Sequence, residues 1–145
     1  MGAPTMTADT LERPSAPSRH VLRLYSHRSA PSLARHALRT CASLTELPTA
    51  VVDDAAFAVG ELMVISARQC VAGSMTVVFE IDDDSIVVRV ADHASELSAM
   101  RLRSNTTVER AWSVVRRVAK SWGVSASGDG RQLWARLECA PELAH

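Results

Sequence analysis

The residues of this chain that could carry acid–base or metal chemistry are few and scattered. Cys41, Cys70 and Cys139 are widely spaced and form no Cys-x-x-Cys pair, so neither a zinc site nor a disulfide framework is indicated. Asp92 and His93 follow an apolar alternation, where the carboxylate could bind loop amides and the imidazole could act as a ligand or base. Because His93 has no His or Cys partner at metal-ligand spacing, the sequence predicts no metal site.

Charge is balanced over the chain but unevenly distributed. The 145 residues carry 16 Lys and Arg against 16 Asp and Glu. Residues 1–45 hold six Arg and two acids, residues 46–100 hold ten acids and two Arg, and residues 101–145 hold eight bases and four acids. Zero net charge argues against a dedicated nucleic-acid binder, which needs excess positive charge for phosphates. The acidic middle could steer a basic partner or be an ordinary solvated surface.

Nothing in the hydropathy pattern predicts a membrane or secretory segment. No apolar stretch is long enough to span a bilayer, and the N-terminus has no apolar core of a signal peptide. The cysteine usage fits a reduced cytoplasm. Residues 1–19 are rich in Pro, Ser and Thr and are predicted to form a disordered tail. One domain is expected over residues 20–139, with a short C-terminal tail at 140–145.

Apolar periodicity predicts three helices and five strands. Helical spacing indicates helices near residues 31–45, 50–72 and 108–121, with Ser29 and Thr49 available as caps of the first two. Period-two alternation indicates strands at residues 20–25, 75–81, 86–90, 124–127 and 133–137. Residues 92–107 have no clear period and are expected to form a loop.

The order of these elements defines a fold class. Asp82, Asp83 and Asp84 form a turn between two strands, and Gly128 to Gly130 form another, so two hairpins are expected. The element order β-α-α-β-β-α-β-β predicts an α/β fold. We expect a two-layer α/β sandwich, with the helices on one face of a mixed, largely antiparallel sheet.

Several short stretches in this order resemble the GHKL (histidine kinase-like) ATPase superfamily, and within it the anti-sigma-factor serine/threonine-kinase branch. They are residues 32–36, 54–62, 121–124 and 132–137, and the resemblance extends over residues 26–137. It implies the histidine kinase-like ATPase fold, ATP and Mg²⁺ as cofactors, and a sigma factor or an anti-anti-sigma protein as partner.

The resemblance also implies roles for two acidic residues. The family's Glu-Leu-x-x-Asn motif provides a general base and a magnesium ligand, which implies Glu61 as the catalytic base. The alternative is that Glu61 is an exposed or capped helix acid. Ile65 stands at the asparagine position and has no oxygen for a hard cation. In the family's Asp-x-Gly motif the acid binds the adenine amine, which implies Asp92 in that role, with Ala94 in place of the glycine.

A third family motif, Gly-x-Gly-Leu, opens the helix that cradles the phosphates. Glu109, Arg110, Ala111 and Trp112 stand at these positions. Arg110 matches the family's arginine between the glycines and either contacts a phosphate or is solvated. The Glu109 carboxylate would compete with phosphate for the N–H groups at the helix N-terminus. Trp112 either packs in the core or fills the space that a nucleotide would occupy.

Two functions from different classes remain open. The first is an anti-sigma-factor-like regulatory protein that acts by protein–protein binding, with weakened or lost binding of ATP and Mg²⁺. The second is an active ATP-dependent serine/threonine protein kinase that phosphorylates an anti-anti-sigma partner. Loss of the metal ligand together with both lid glycines favours the first, because phosphoryl transfer depends on metal charge and positioning. Either protein is expected in the cytoplasm without nucleic-acid or membrane partners. A homodimer and a partner outside sigma regulation also remain open.

Overall fold

The computed structural model describes residues 18–69, 73–92, 106–127 and 130–139. The predicted tails, apart from residues 18 and 19, and most of the predicted 92–107 loop lie outside these residues. Ser18 and Arg19 belong to the first strand, which begins two residues earlier than expected. The elements in chain order are β1 (Ser18–Tyr25), α1 (Ala30–Ala42), α2 (Thr49–Gln69), β2 (Ser74–Ile81), β3 (Ser85–Asp92), α3 (Thr106–Val118), β4 (Ser121–Ser127) and β5 (Gly130–Glu138).

The five described strands form one sheet in the order β1-β2-β3-β5-β4. All four neighbouring pairs are antiparallel. The predicted acidic turn joins β2 to β3, where the Asp82 N–H donates to the Ser85 carbonyl at 2.9 Å. The second predicted hairpin is present as the β4–β5 pair, which ends at Ser127 opposite Gly130. The expected α/β sandwich is therefore confirmed, with a sheet that is antiparallel throughout its described strands.

One face of the sheet is apolar and carries the helices. Alternate residues of the three central strands are fully buried, among them Phe79, Val88 and Leu133. The residues between them face the other side, where Arg89 Nε donates to Glu80 Oε1 at 2.9 Å. The same guanidinium donates through Nη1 to Gln132 Oε1 at 3.1 Å. The period of two thus separates a hydrophobic face from a polar one.

Helix α2 is the centre of the helical layer. It packs on β3 and β5, with α1 on one flank and α3 on the other. Because it is covered on three sides, its buried residues extend well beyond a single stripe and include Val59, Leu62 and Ile65. On the solvent side, Arg39 Nη2 of α1 lies 3.3 Å from Asp53 Oδ1 of α2. None of the described helices is both long and apolar enough to cross a bilayer.

The helix starts differ in detail from the predicted caps. Ser29 precedes α1, but its side chain forms no capping hydrogen bond and its Oγ lies instead 3.0 Å from His27 Nδ1. Helix α2 already includes Thr49, and the carbonyl of Pro48 accepts the N–H of Val51 at 3.0 Å. Proline at the first positions of α1 supplies the helical φ angle without a hydroxyl cap.

Candidate functional site

Asp92 is a buried carboxylate at the end of a central strand. It is the last residue of β3 and only 4% exposed. Ile86, Val88 and Val90 place it on the helix-covered face, because side chains two residues apart in a strand point to the same side. The antiparallel register sets it opposite Arg131 of β5. The strand alternation therefore places an ionisable side chain in the core, where it needs a hydrogen-bonding or charged partner.

Arg131 and Ser66 provide that partner. Arg131 Nε lies 3.1 Å from Asp92 Oδ1 and 3.2 Å from Oδ2, and its Nη2 lies 3.1 Å from Oδ2. The Ser66 hydroxyl of α2 donates to Oδ2 at 2.7 Å. Both side chains are buried, Arg131 at 8% and Ser66 at 0% exposure. We call these three residues the Asp92 cluster. Its fork-like, charge-assisted hydrogen bonds are the strong kind that holds a carboxylate in one orientation.

The Asp92 cluster engages the same carboxylate that the family resemblance implies as the adenine-binding group. To bind adenine, the carboxylate must have an oxygen that accepts a hydrogen bond from the amine of the base. Here Oδ1 accepts from Arg131, and Oδ2 accepts from both Arg131 and Ser66. The bulky guanidinium also lies directly beside the carboxylate on the same face of the sheet.

Glu61 lies elsewhere on α2, half-buried beside Arg35 of α1. The guanidinium of Arg35 lies against Gly60, where an added Cβ would come within 2.5 Å of Nη1. Burial raises the pKa of the Glu61 carboxyl, and the positive charge of Arg35 lowers it in part. Glu61 precedes Ser66 by more than one helical turn. No hydrogen bond or ion pair joins Glu61 to Asp92 among the described residues, so the structure does not bring the two predicted site acids together.

Replacing Glu61 with glutamine is expected to stabilise the protein slightly at neutral pH. A carboxyl whose pKa is raised in the folded state is less favourably ionised there than in the unfolded chain. Stability therefore falls as pH rises through the interval between the two pKa values. The gain in Glu61→Gln should be a few tenths of a kcal/mol, because the group is partly solvated. This gain in stability should vanish near pH 4, because the Glu61 carboxyl then becomes protonated in the unfolded chain as well. Urea midpoints at both pH values test this, and a destabilised variant at neutral pH would contradict it.

Of the other residues that the resemblance singles out, some lie in the core and others are exposed on the surface. Ile65, at the magnesium-ligand position, is fully buried in the hydrophobic core. Glu109 and Arg110 are exposed in the first turn of α3, and neither forms an ion pair with another described residue. Ala111 is 1% exposed and packs into the core, and Trp112 is half-buried against it. The predicted packing role of Trp112 is thus present, while His93 and Ala94 lie outside the described residues.

Metal chemistry has no support in the described part of the chain. No group of three or more His, Cys, Asp or Glu side chains there could hold a metal ion. Cys41 and Cys139 are free thiols, and burial raises the pKa of Cys41. A raised pKa keeps a thiol protonated and unreactive. Cys70 lies outside the described residues.

Two members of the Asp92 cluster were missed from the sequence. The expected last strand began at residue 133, yet extending its alternation backwards from Leu133 places Arg131 on the core face. Ser66 follows Leu62 by four residues and Val59 by seven, which is the spacing of one buried helix face. Periodicity alone could therefore have placed the side chains of Arg131 and Ser66 on buried faces of their elements. Only the pairing of β3 with β5, however, brings Arg131 opposite Asp92.

The fold places the chain in the class of two-layer α/β sandwiches. The Asp92 cluster adds a buried ion pair at one end of its sheet. The fold is shared with the crystal structure of the RsbU and RsbW domains of Rv1364c from Mycobacterium tuberculosis, with a TM-score of 0.59 and 12% sequence identity. The match covers 83% of this chain and 32% of that one, so the present chain spans about a third of that protein's length. No family model matches, and no curated protein matches by sequence.

Proposed function

We propose that this chain is an anti-sigma-factor-like regulatory protein that acts by protein–protein binding, with ATP binding weakened or lost. The observation that carries the proposal is the Asp92 cluster, in which the would-be adenine-reading carboxylate is held by Arg131 and Ser66. The burial of Ile65 supports it, because an apolar core residue replaces the magnesium ligand. The regulatory role is supported by the family resemblance and by the likeness in fold to a structure that contains an RsbW domain.

The proposal assigns a cytoplasmic protein partner, a sigma factor or an anti-anti-sigma protein. A surface for that partner is available on the outer side of α2. Phe57 is 59% exposed there, which is unusual for so large an apolar side chain. Asp54 and Glu61 lie three residues before and four residues after it, on the same side of the helix. Burial raises the pKa of both carboxyls, and at Asp54 the neighbouring charge of Asp53 raises it further. A phenyl ring beside two acids suits a partner that presents an apolar pocket with basic residues around it.

Wild-type protein is expected to bind ATP with a Kd above about 1 mM, which corresponds to a binding free energy weaker than about 4 kcal/mol. The physical reason is that the Asp92 side chain is only 1% exposed and already binds Arg131 and Ser66, and that Ile65 has no oxygen to bind a metal ion. Isothermal titration with ATP, with and without Mg²⁺, measures this directly. Transfer of the γ-phosphate to purified anti-anti-sigma proteins of the same genome is measured in parallel. Tight, Mg²⁺-dependent binding with phosphate transfer would instead establish the alternative, an active serine/threonine kinase.

Replacing Phe57 with alanine is expected to weaken partner binding at least about tenfold, or about 1.4 kcal/mol, because an exposed aromatic is a typical interface anchor. The fold should be unaffected, since more than half of the ring is already solvated. Binding of purified sigma factors and anti-anti-sigma proteins is measured by surface plasmon resonance. Leu44→Ala is the matched control, because Leu44 is 86% exposed in the turn after α1. Equal affinity of wild type and Phe57→Ala would remove this surface from the proposal.

A further inference from the structure

A cavity of about 410 Å³ lies on the α1 side of α2, away from the residues that the family resemblance singles out. Its walls are the β1–α1 loop, the first turn of α1, the C-terminal half of α2 and the start of β2. Glu61, Asp92 and Arg110 do not line it. Its volume lies within the range of about 300 to 1,000 Å³ that is usual for small-molecule sites. The cavity is therefore a separate candidate binding site.

The floor of the cavity is apolar. Met63 of α2 and Met75 of β2 line it and are 1% and 4% exposed. Ala30, the first residue of α1, is also buried at the cavity wall. Methionine side chains are flexible and polarizable, so they adapt to apolar groups of different shape. A floor of this kind suits an alkyl group better than a sugar or a base.

The rim of the cavity is positively charged. Arg28, from the β1–α1 loop, and Arg68, near the end of α2, both line it and are both exposed. Neither guanidinium forms an ion pair or a side-chain hydrogen bond with any other described residue. No Asp or Glu of the described residues lines the cavity. By contrast, Arg39, Arg89, Arg131 and Arg136 each have a carboxylate partner. Two uncompensated cations at the mouth of one cavity attract an anion.

We propose that this cavity binds a small organic anion with a medium-length alkyl chain, either a carboxylate or a phosphate monoester. The anionic head lies between Arg28 and Arg68, and guanidinium groups bind carboxylate and phosphate with paired hydrogen bonds. The alkyl chain lies over Met63 and Met75, where it leaves water. The volume of the cavity, about 410 Å³, suits a single alkyl chain. The rim charges favour the anion over a neutral alcohol of equal length. The site is independent of the proposed partner surface around Phe57.

The test uses three probes with one alkyl chain: octanoate, octyl phosphate and octanol. Chemical-shift titration of the full-length protein is expected to show binding of octanoate, octyl phosphate or both, and the tighter of the two identifies the head group. Octanol should bind at least tenfold more weakly. Shifts should be centred on backbone amides of the β1–α1 loop and the C-terminal half of α2. Equal affinity for octanol, or no binding of either anion, would overturn the proposal.

A charge-removing pair of substitutions tests the rim. The double variant Arg28→Gln with Arg68→Gln should lower affinity for the anionic probes at least tenfold and leave that for octanol unchanged. The matched control is Arg116→Gln with Arg117→Gln. This pair removes the same charge from exposed positions in the last turn of α3. The control should bind as the wild type does. Equal losses in the two double variants would show a general effect of net charge, and the assigned site would be wrong.

Discussion

Replacing Arg131 with methionine is expected to destabilise the protein by about 3 to 5 kcal/mol, the usual cost of removing one partner from a buried ion pair. Asp92 is 4% exposed, and Arg131 donates to both of its carboxylate oxygens. Without the guanidinium, the ionised carboxylate would keep the Ser66 hydroxyl but lose its opposite charge. A loss of this size is a large fraction of the stability of a typical domain. Urea unfolding followed by circular dichroism measures it.

Two further variants separate the buried charge from other effects of the substitution. Arg131→Met combined with Asp92→Asn removes both charges and should recover about half of the loss or more, because the buried carboxylate charge is then removed as well. Arg136→Met is the matched surface control, since Arg136 lies on the same strand and its Nε is 2.6 Å from Glu138 Oε2 in an exposed pair. It should cost less than about 1 kcal/mol. If Arg131→Met also costs less than about 1 kcal/mol, the ion pair of Arg131 with Asp92 does not stabilise the core as described.

The fold could be predicted because local periodicity and global packing agree in this chain. The stripe of Val59 and Leu62 makes α2 a helix, and the alternation of Phe79 and Ile81 makes β2 a strand, independently of any neighbour. Turn chemistry then fixed the two hairpins. The helix caps were less predictable. A hydroxyl at Ser29 only makes a cap available, and its bond to His27 depends on the conformation of the preceding loop.

The candidate site was only partly predictable, because its partners come from distant parts of the chain. Asp92 and Glu61 were found by motif. Glu61 lies on the expected helix, whereas Asp92, expected at the start of a loop, is the last residue of β3. The interaction that occupies Asp92 depends on Arg131, 39 residues further on. It also depends on Ser66, 26 residues before it. Such a partner becomes visible only when the strand register is known, because the β3–β5 pairing sets Arg131 opposite Asp92.

Packing around the candidate site constrains which substitutions it can accept. Ile65 and Ala111 are both almost completely buried, and both belong to the main hydrophobic cluster. They fill volume between α2, α3 and the sheet in addition to lacking polar groups. Arg131 likewise pairs with the buried carboxylate of Asp92. Because each residue stabilises the fold as it stands, replacing Ile65 or Ala111 with the residue that the resemblance implies at that position opposes packing.

Replacing Ile65 with asparagine is accordingly expected to destabilise the protein by about 3 to 4 kcal/mol and to produce no Mg²⁺-dependent ATP binding. The loss combines removal of buried methyl groups with burial of an amide that has no designed partner. Ile65 is 0% exposed, so the new amide would face the core and could not reach a solvated metal ion without rearrangement of α2. The free energy of unfolding in urea and isothermal titration with Mg²⁺ and ATP measure the two effects on the same sample.

Ile65→Leu is the matched control, because leucine has nearly the shape of asparagine but no polar atoms. It should cost less than about 1.5 kcal/mol, as volume-conserving core exchanges usually do. The difference between the leucine and asparagine variants then isolates the cost of burying the amide, which should exceed about 1 kcal/mol. Two results would contradict this account of the site. Equal stabilities would mean that position 65 is hydrated, and Mg²⁺-dependent ATP binding by Ile65→Asn would mean that the side chain reaches a nucleotide site which the Asp92 cluster leaves open.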